Sequence, residues 1–323
     1  MADTTINIAD IITSFGSYYL DGGQNQQDLL MRPFEKFGTR EVFNLRQTND
    51  TILRLSDVEV SEILQGYQDA FTPKGGVVFK PVAIPLTQVK IDQEFNPNSL
   101  VSSWLGFLTN NKIDRSTYPF IKWFIEDYLL KQVDKDLEMK AIYNGKKVTP
   151  TPGTAGAAIE AMDGIKFQIN TGIDDGDITP IATGALPADP ADFVTMIEEV
   201  FADAIPEVYW QEGMTINMSM KNLKLYRRGR KKKYNMYYAQ AADLDTVDDT
   251  NLKVAGRFSM QGSDKIWATT SRNYVMGVKG FSNKNMFELE HVKRKVAVYS
   301  DWWIGIGYLL ADEIFTNDLD TAL

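Results

Sequence analysis

The sequence predicts an α+β protein in which helices and strands are segregated along the chain rather than alternating. Three observations carry that expectation: one long amphipathic helix from Pro119 to about Asn144, a strand-rich run from Leu252 onward, and a polar, turn-rich first third. In the helix, Ile121, Ile125, Leu129, Val133, Leu137 and Ala141 recur every four residues, and Phe124 and Tyr128 widen the stripe into an apolar face. Lys122, Glu126, Lys131, Asp134, Lys135, Glu138 and Lys140 fall mostly off that face, where charges on a long helix face solvent or a neighbouring subunit. Pro119 is tolerated in the first turn, and Asn144-Gly145 is expected to supply a left-handed stop. Some 25 residues give roughly 38 Å of helix, long enough to act as a strut.

The elements before the strut are shorter. Residues 1–34 read as an arm with sparse anchors at Ile6, Ile8, Ile11 and Ile12, broken by the polar run from Asp21 to Gln27. Thr39 to Leu55 holds two short strands around Thr48-Asn49-Asp50. Ser56, with Glu59 three residues on, predicts a capped short helix whose apolar side is Val60, Ile63, Leu64 and Tyr67. After the turn Thr72 to Gly76, the run Val77 to Phe95 is extended, with Val89, Ile91 and Phe95 alternating against Lys90, Asp92 and Glu94. Pro81 and Pro85 place its first part at a sheet edge. A short amphipathic helix follows, with Leu100, Val101, Trp104, Leu105 and Leu108 inward.

Beyond the strut, Val148 to Ala158 and Ile173 to Pro190 read as loops. A second helix is expected between Asp192 and Ile205, with Phe193, Met196, Ile197, Val200, Phe201 and Ala204 on one face and Pro206 ending it. Met214 to Met218 predicts a strand, and Ser219 to about Tyr234 a third helix. Strands are then expected at Val254–Phe258, Ile266–Thr270, Tyr274–Val278, Phe287–His291 and Lys295–Tyr299, with one more strand or a pair between Trp302 and Phe315.

Composition excludes much chemistry. The chain has 323 residues, 44% hydrophobic and 24% charged, enough for a sizeable core. It has no cysteine, hence no disulfide, zinc–cysteine site or thiol catalysis. The one histidine, His291, lies among charges and reads as an exposed strand residue rather than a general base. Asp243, Asp245, Asp248 and Asp249 lack the glycine and twelfth-position acid of a calcium loop, and Asp174, Asp175 and Asp177 fail similarly. No glycine-rich phosphate loop or nucleophile elbow is present. No metal, cofactor or catalytic residue is therefore assigned, and the chain reads as a non-enzymatic structural or binding protein. The apolar run Trp302–Ala311 is too short to span a bilayer.

A net charge of −9 makes the one dense basic run conspicuous. Lys224, Arg227, Arg228, Arg230, Lys231, Lys232 and Lys233, preceded by Lys221, form a candidate contact for nucleic-acid phosphates or for a neighbouring subunit's acids. A solvated helix face is the bland reading of the same residues. Tyr226, Tyr234, Tyr237 and Tyr238 interleave with the run, and packing is their expected role rather than base stacking.

The order of parts resembles the major capsid proteins of tailed bacteriophages, the Hong Kong 97 fold. An arm is followed by an extended excursion, then a long helix closing on Tyr143-Asn144-Gly145, a mixed domain opened by a second helix, and a return to strands. The phrases Phe71-Thr72-Pro73-Lys74-Gly75-Gly76, Val89-Lys90-Ile91-Asp92 and Ser103-Trp104-Leu105-Gly106-Phe107-Leu108 resemble members from phages of Bacteroidetes-type hosts. The resemblance implies an N-terminal arm (1–34), an extended loop (35–82), a peripheral domain with a spine helix (83–158), an axial domain (159–285) and C-terminal strands returning to the peripheral domain (286–323). It further implies a homo-oligomer of pentamers and hexamers that self-assembles into an icosahedral shell around double-stranded DNA. The expected location is the virion, with assembly in the host bacterial cytoplasm. The implied partners are a separate scaffolding protein, packaged DNA bound non-specifically, and portal and minor capsid proteins, with no membrane. With only some 35 residues ahead of the extended loop, a fused scaffolding segment is not expected, and no residue match supports the family's Lys–Asn cross-link. The alternatives are a nucleic-acid-binding protein using the cluster at 221–233 and a hydrolase with an unrecognised carboxylate site.

Overall fold

The computed structural model describes residues 8–15, 38–39, 42–111, 119–237, 244–279 and 287–322. The run 21–27, Ile6, Tyr238 and Asp243, singled out above, lie outside these residues.

The spine helix (α3, residues 120–141) forms where the four-residue repeat predicts it. A strict four-residue repeat on an α-helix of 3.6 residues per turn drifts about 40° per step, so six positions would wind well round the helix. Two wider turns correct this, at Phe124–Leu129 and Leu137–Ala141. There Leu130 and Ile142 donate to carbonyls five residues back, at Ile125 and Leu137. The phase is thereby pulled back, and Ile121, Ile125, Leu129, Leu137 and Ala141 are all buried. Val133 is only half-buried, and Tyr128 is exposed at the edge of the face, its ring against Trp123 and Phe124.

Two expectations for this helix fail. Neither Asn144 nor Gly145 has positive φ. Gly145 is required instead by close approach: an added Cβ would lie 2.2 Å from the Ala141 carbonyl oxygen and 2.4 Å from that of Met162. Glu138 does not face solvent but is buried, accepting a 2.6 Å hydrogen bond from the Thr39 hydroxyl. That bond clips the chain entering the extended region onto the spine.

The first core surrounds the spine. Helix α1 (Ile8–Phe15) buries Ile11 and Phe15 there. Helix α2 (Pro97–Asn111) contributes Trp104 and Leu108. Phe95 stacks on Phe124 with ring centroids 4.0 Å apart. A five-stranded sheet backs the helices. In its main path, β1 (Asn44–Thr48) pairs in parallel with β8 (Tyr274–Lys279), and β10 (Lys295–Tyr308) runs antiparallel to both β8 and β4 (Thr87–Phe95). Strand β9 (Phe287–Val292) pairs with the first half of β10. The expected strand at Lys295–Tyr299 and the separate one from Trp302 are thus a single 14-residue strand, because Ser300 and Asp301 continue the ladder with β4. His291 lies exposed on β9 opposite Val296. Helix α4 (Ile165–Asp174), which the sequence reading missed, also packs here through Ile165 and Ile169.

The second core is built from residues 193–268 with partial support from Ile181, Leu186 and Phe315. Part of the 159–285 span, α4 and β8, therefore packs in the first core. The second core holds a four-stranded sheet in the order β11 (Phe315–Thr316), β7 (Trp267–Thr269), β5 (Thr215–Ser219), β6 (Lys253–Arg257). Its helices are α5 (residues 190–202), α6 (Glu207–Glu212) and α7 (Met220–Lys233). On α5, Phe193, Met196, Ile197 and Phe201 are buried as expected, but Val200 is exposed, and Ala204 lies exposed just beyond the helix end.

Between β1 and β4 the chain makes a hairpin of β2 (Ile52–Val60) and β3 (Val77–Pro85), a two-stranded sheet of its own. The helix expected from Ser56 is absent. Ser56 to Val60 pair with Pro81 to Val77, and that ladder overrides the local capping signal. Residues 61–76 form the tip, and Ile63, Leu64, Tyr67 and Phe71 are all exposed there.

Candidate functional site: the basic helix of the second core

Helix α7 starts where Ser219 accepts a hydrogen bond from the Asn222 amide, an N-cap that satisfies one free donor of the first turn. Its inner face carries Asn222, Leu223, Tyr226, Gly229 and Arg230. Gly229 permits contact with α5: a Cβ there would stand 1.9 Å from the Pro190 carbonyl oxygen.

The seven predicted site residues divide into two groups. Four are consumed by acids of the same unit. Arg227 grips Asp245 in a bidentate pair, with hydrogen bonds of 2.6 and 2.5 Å, which raises the guanidinium's pKa. Arg230 is only 3% exposed and donates to Glu198 at 2.7 Å. Burial opposes the Arg230 charge, yet Glu198, with Tyr226 and Asp248, leaves its pKa raised overall. Glu198 also accepts hydrogen bonds from the Tyr226 and Tyr234 hydroxyls. Burial, then the Glu198 charge, pushes the Tyr226 phenol well above its ordinary value. Lys232 meets Asp189 at 2.8 Å, and the Lys232 hydrogen bond, followed by the Ala191 amide, holds that carboxyl below its usual range. Lys233 meets Glu199 at 3.0 Å.

The other three, Lys224, Arg228 and Lys231, make no ion pair among the described residues, and neither does Lys221. Lys221, Lys224 and Arg228 are exposed and Lys231 half-exposed. The sequence brought all seven together as one patch, but the helical period separates an inward, neutralised set from an outward stripe. Counting the run alone could not show which acids, 18 to 43 residues away in sequence, would fold against it.

Asp245, weighed as a calcium ligand, is taken by Arg227. Elsewhere, a cleft runs along β3, Phe167 and Tyr308 to Glu313, with Asp163, Asp177, Asp312 and Glu313 as its carboxylates. Asp163 accepts from the Lys147 amide and Glu313 from the Thr270 hydroxyl, so both act as ordinary structural acceptors. Among the described residues, no helix is long and apolar enough to cross a membrane.

No family model matches the chain, and no curated protein is similar to it. Solved structures are. A chain of the satellite phage P4 procapsid, a particle including the size determination (Sid) protein, superposes with a TM-score of 0.63 at 12% identity, covering 96% of this chain and 97% of that one. A chain from the capsid of Myoviridae phage XM1 gives a TM-score of 0.48 at 10% identity over 87% and 90% of the two chains. The virus-like particle from Pyrococcus furiosus gives 0.45 at 10% identity over 93% and 100%. The near-complete superposition shows that this chain has the fold of that procapsid chain, α+β as the sequence predicts.

Proposed function

We propose that this chain is the major capsid protein of a tailed phage, assembling as pentamers and hexamers into an icosahedral shell around double-stranded DNA. The observation that carries the reading is the full-length likeness to the P4 procapsid chain. The hairpin supports it independently. Val60, Ile63, Leu64, Tyr67, Phe71, Val77, Val78 and Phe79 are all exposed on it, with Leu64 82%, Tyr67 94% and Phe71 94% accessible. Exposed apolar surface of that extent marks an interaction site, and a free two-stranded sheet has open edges that a neighbour can cover.

On this reading the protein is structural rather than an enzyme and resides in the virion after assembly in the bacterial cytoplasm. A separate scaffolding protein, portal and minor capsid proteins are its partners, together with DNA held without sequence preference. The alternative of a dedicated nucleic-acid binder loses ground because Arg227, Arg230, Lys232 and Lys233 already have acidic partners. Electron microscopy of the expressed protein, alone and with its scaffold supplied, tests the proposal. Closed shells are expected. A monomer that stays dispersed at high concentration under both conditions would refute it.

A further inference from the structure

The outward stripe of α7 carries charge that its own subunit does not balance. Lys221, Lys224, Arg228 and Lys231 follow one another at three- and four-residue spacing, within about 80° of arc at 100° per residue. They run along about 15 Å of helix. Helix α7 contains no acidic residue, so every neighbour along the stripe repels. Lys221 sits in the first turn, where the helix dipole disfavours a cation. Local helix stability therefore gives no reason for the stripe.

A complementary surface lies on the same unit. Glu207, Asp248 and Asp249 border a depression shared with Trp210, Gln211 and Arg230. All three acids are exposed, and Asp248 stands 3.7 Å from the Arg230 guanidinium, which Glu198 already neutralises. Around α7, Arg230 is about 140° from the centre of the basic stripe at 100° per residue. The basic and acidic surfaces thus face different sides of one unit. They cannot meet within a copy; between copies they can pair only head to tail, the heterologous arrangement that closes into rings when the rotation per copy allows it.

We propose that the Lys221–Lys224–Arg228–Lys231 stripe of one copy docks on the Glu207–Asp248–Asp249 face of the next, giving each capsomer ring an electrostatic seam. The inference rests on the shell reading, which requires a repeated contact of this kind. A second copy is favoured over DNA as the occupant because the matching acids are present on this chain, whose net charge of −9 repels a duplex.

Charge reversal tests the seam. Lys224→Glu/Arg228→Glu and Glu207→Lys/Asp248→Lys each place like charges across it, and each is expected to lower particle yield at least about tenfold, more at low salt. Combining all four substitutions is expected to restore yield, while far-UV circular dichroism shows folded subunits throughout. Reversals that assemble like the parent, or a combination no better than either pair, would overturn the proposal. Normal particles that have lost only their DNA would also overturn it, assigning the stripe to nucleic acid. The chain has no cysteine, so an Arg228→Cys/Asp248→Cys variant treated with a short bismaleimide gives a second readout. A ladder ending at five or six subunits, absent from either single variant, is expected. A ladder without particles would keep the contact and remove the shell reading. Particles without a ladder would keep the shell and remove the contact.

Discussion

The second core and the β2–β3 hairpin satisfy their side chains in opposite ways. In the second core even a buried arginine has its acid, and the inner face of α7 is closed by Glu198, Tyr226 and Gly229. In the hairpin, nine residue pairs complete the backbone ladder, but the apolar side chains at its far end face water. At its foot Leu53 and Ile84 form a small buried cluster with Val275 of β8, with Leu55, Val82 and Leu309 packed against it. The interior of the first region is finished within the subunit, although the outward stripe of α7 is not. The other has its backbone order built in and its hydrophobic contacts left to be supplied from outside.

The sharpest way to break this comparison is at Arg230. Arg230→Met removes the nearest cation from the buried Glu198 carboxylate and leaves it only Lys233, 3.6 Å away, which should destabilise the isolated subunit by about 3 kcal/mol. Urea denaturation reads this directly, and a change below about 1 kcal/mol would mean the pair is solvated. Ile125→Asp on the spine should be comparably damaging, because Ile125 is fully buried. Val133→Asp should cost clearly less, since the half-buried position lets a carboxylate reach water. Equal losses at the two positions would show that the wide turns do not set the phase of that face.

A smaller effect is expected at Lys265, which is buried and donates to the Leu319 carbonyl at 3.0 Å. Burial, only partly offset by Asp320, lowers its pKa from 10.5 to about 8. The unfolded chain therefore keeps this proton at pH values where the folded one has lost it. Stability contributed here must rise as pH climbs from about 8 towards 10, by on the order of 1–3 kcal/mol. Lys265→Met should flatten that slope in melts at pH 7.5, 8.5 and 9.5. An unchanged slope would assign it to another group.

Much of this architecture was legible in the sequence, and the misses share a cause. The spine stripe, α2, the strand at Thr87–Phe95 and the span of α7 were readable because hydrophobic and charge patterning along a helix or strand is local. The hairpin beyond Ser56 was misread as a helix because Val77–Pro81, which claims those residues as a strand, lies across an intervening tip. Glu138 looked like a surface charge because its partner, Thr39, is 99 residues away. The basic run was visible as composition. Its division into a neutralised inner set and an outward stripe needed Asp189, Glu198 and Asp245 in place. Helix α4 lacked a strong signal: only Ile165, Ile169, Asn170 and Gly172 are buried along its ten residues.

The smallest expected effect on the free subunit sharpens the comparison most. Tyr67→Ser and Phe71→Ser remove side chains already in water, so unfolding stability should stay within about 0.5 kcal/mol of the parent. Particle yield should nevertheless fall, because the side chains removed are those a neighbour would bury. Stability loss without assembly loss would reverse the roles given to the two regions.

Limited proteolysis compares free and assembled protein at the same bonds and tests the central claim most directly. Lys74, at the hairpin tip, is tied only locally, to Glu62 and to the Leu64 carbonyl. Arg54, within β2, is exposed but held by its ladder with Ala83. Trypsin should nick free subunits at Lys74 first and Arg54 later, while assembled particles resist at both, because a covering neighbour removes the open state that proteases capture. Equal cleavage rates in the two states would contradict the account, showing that the hairpin does not bridge copies.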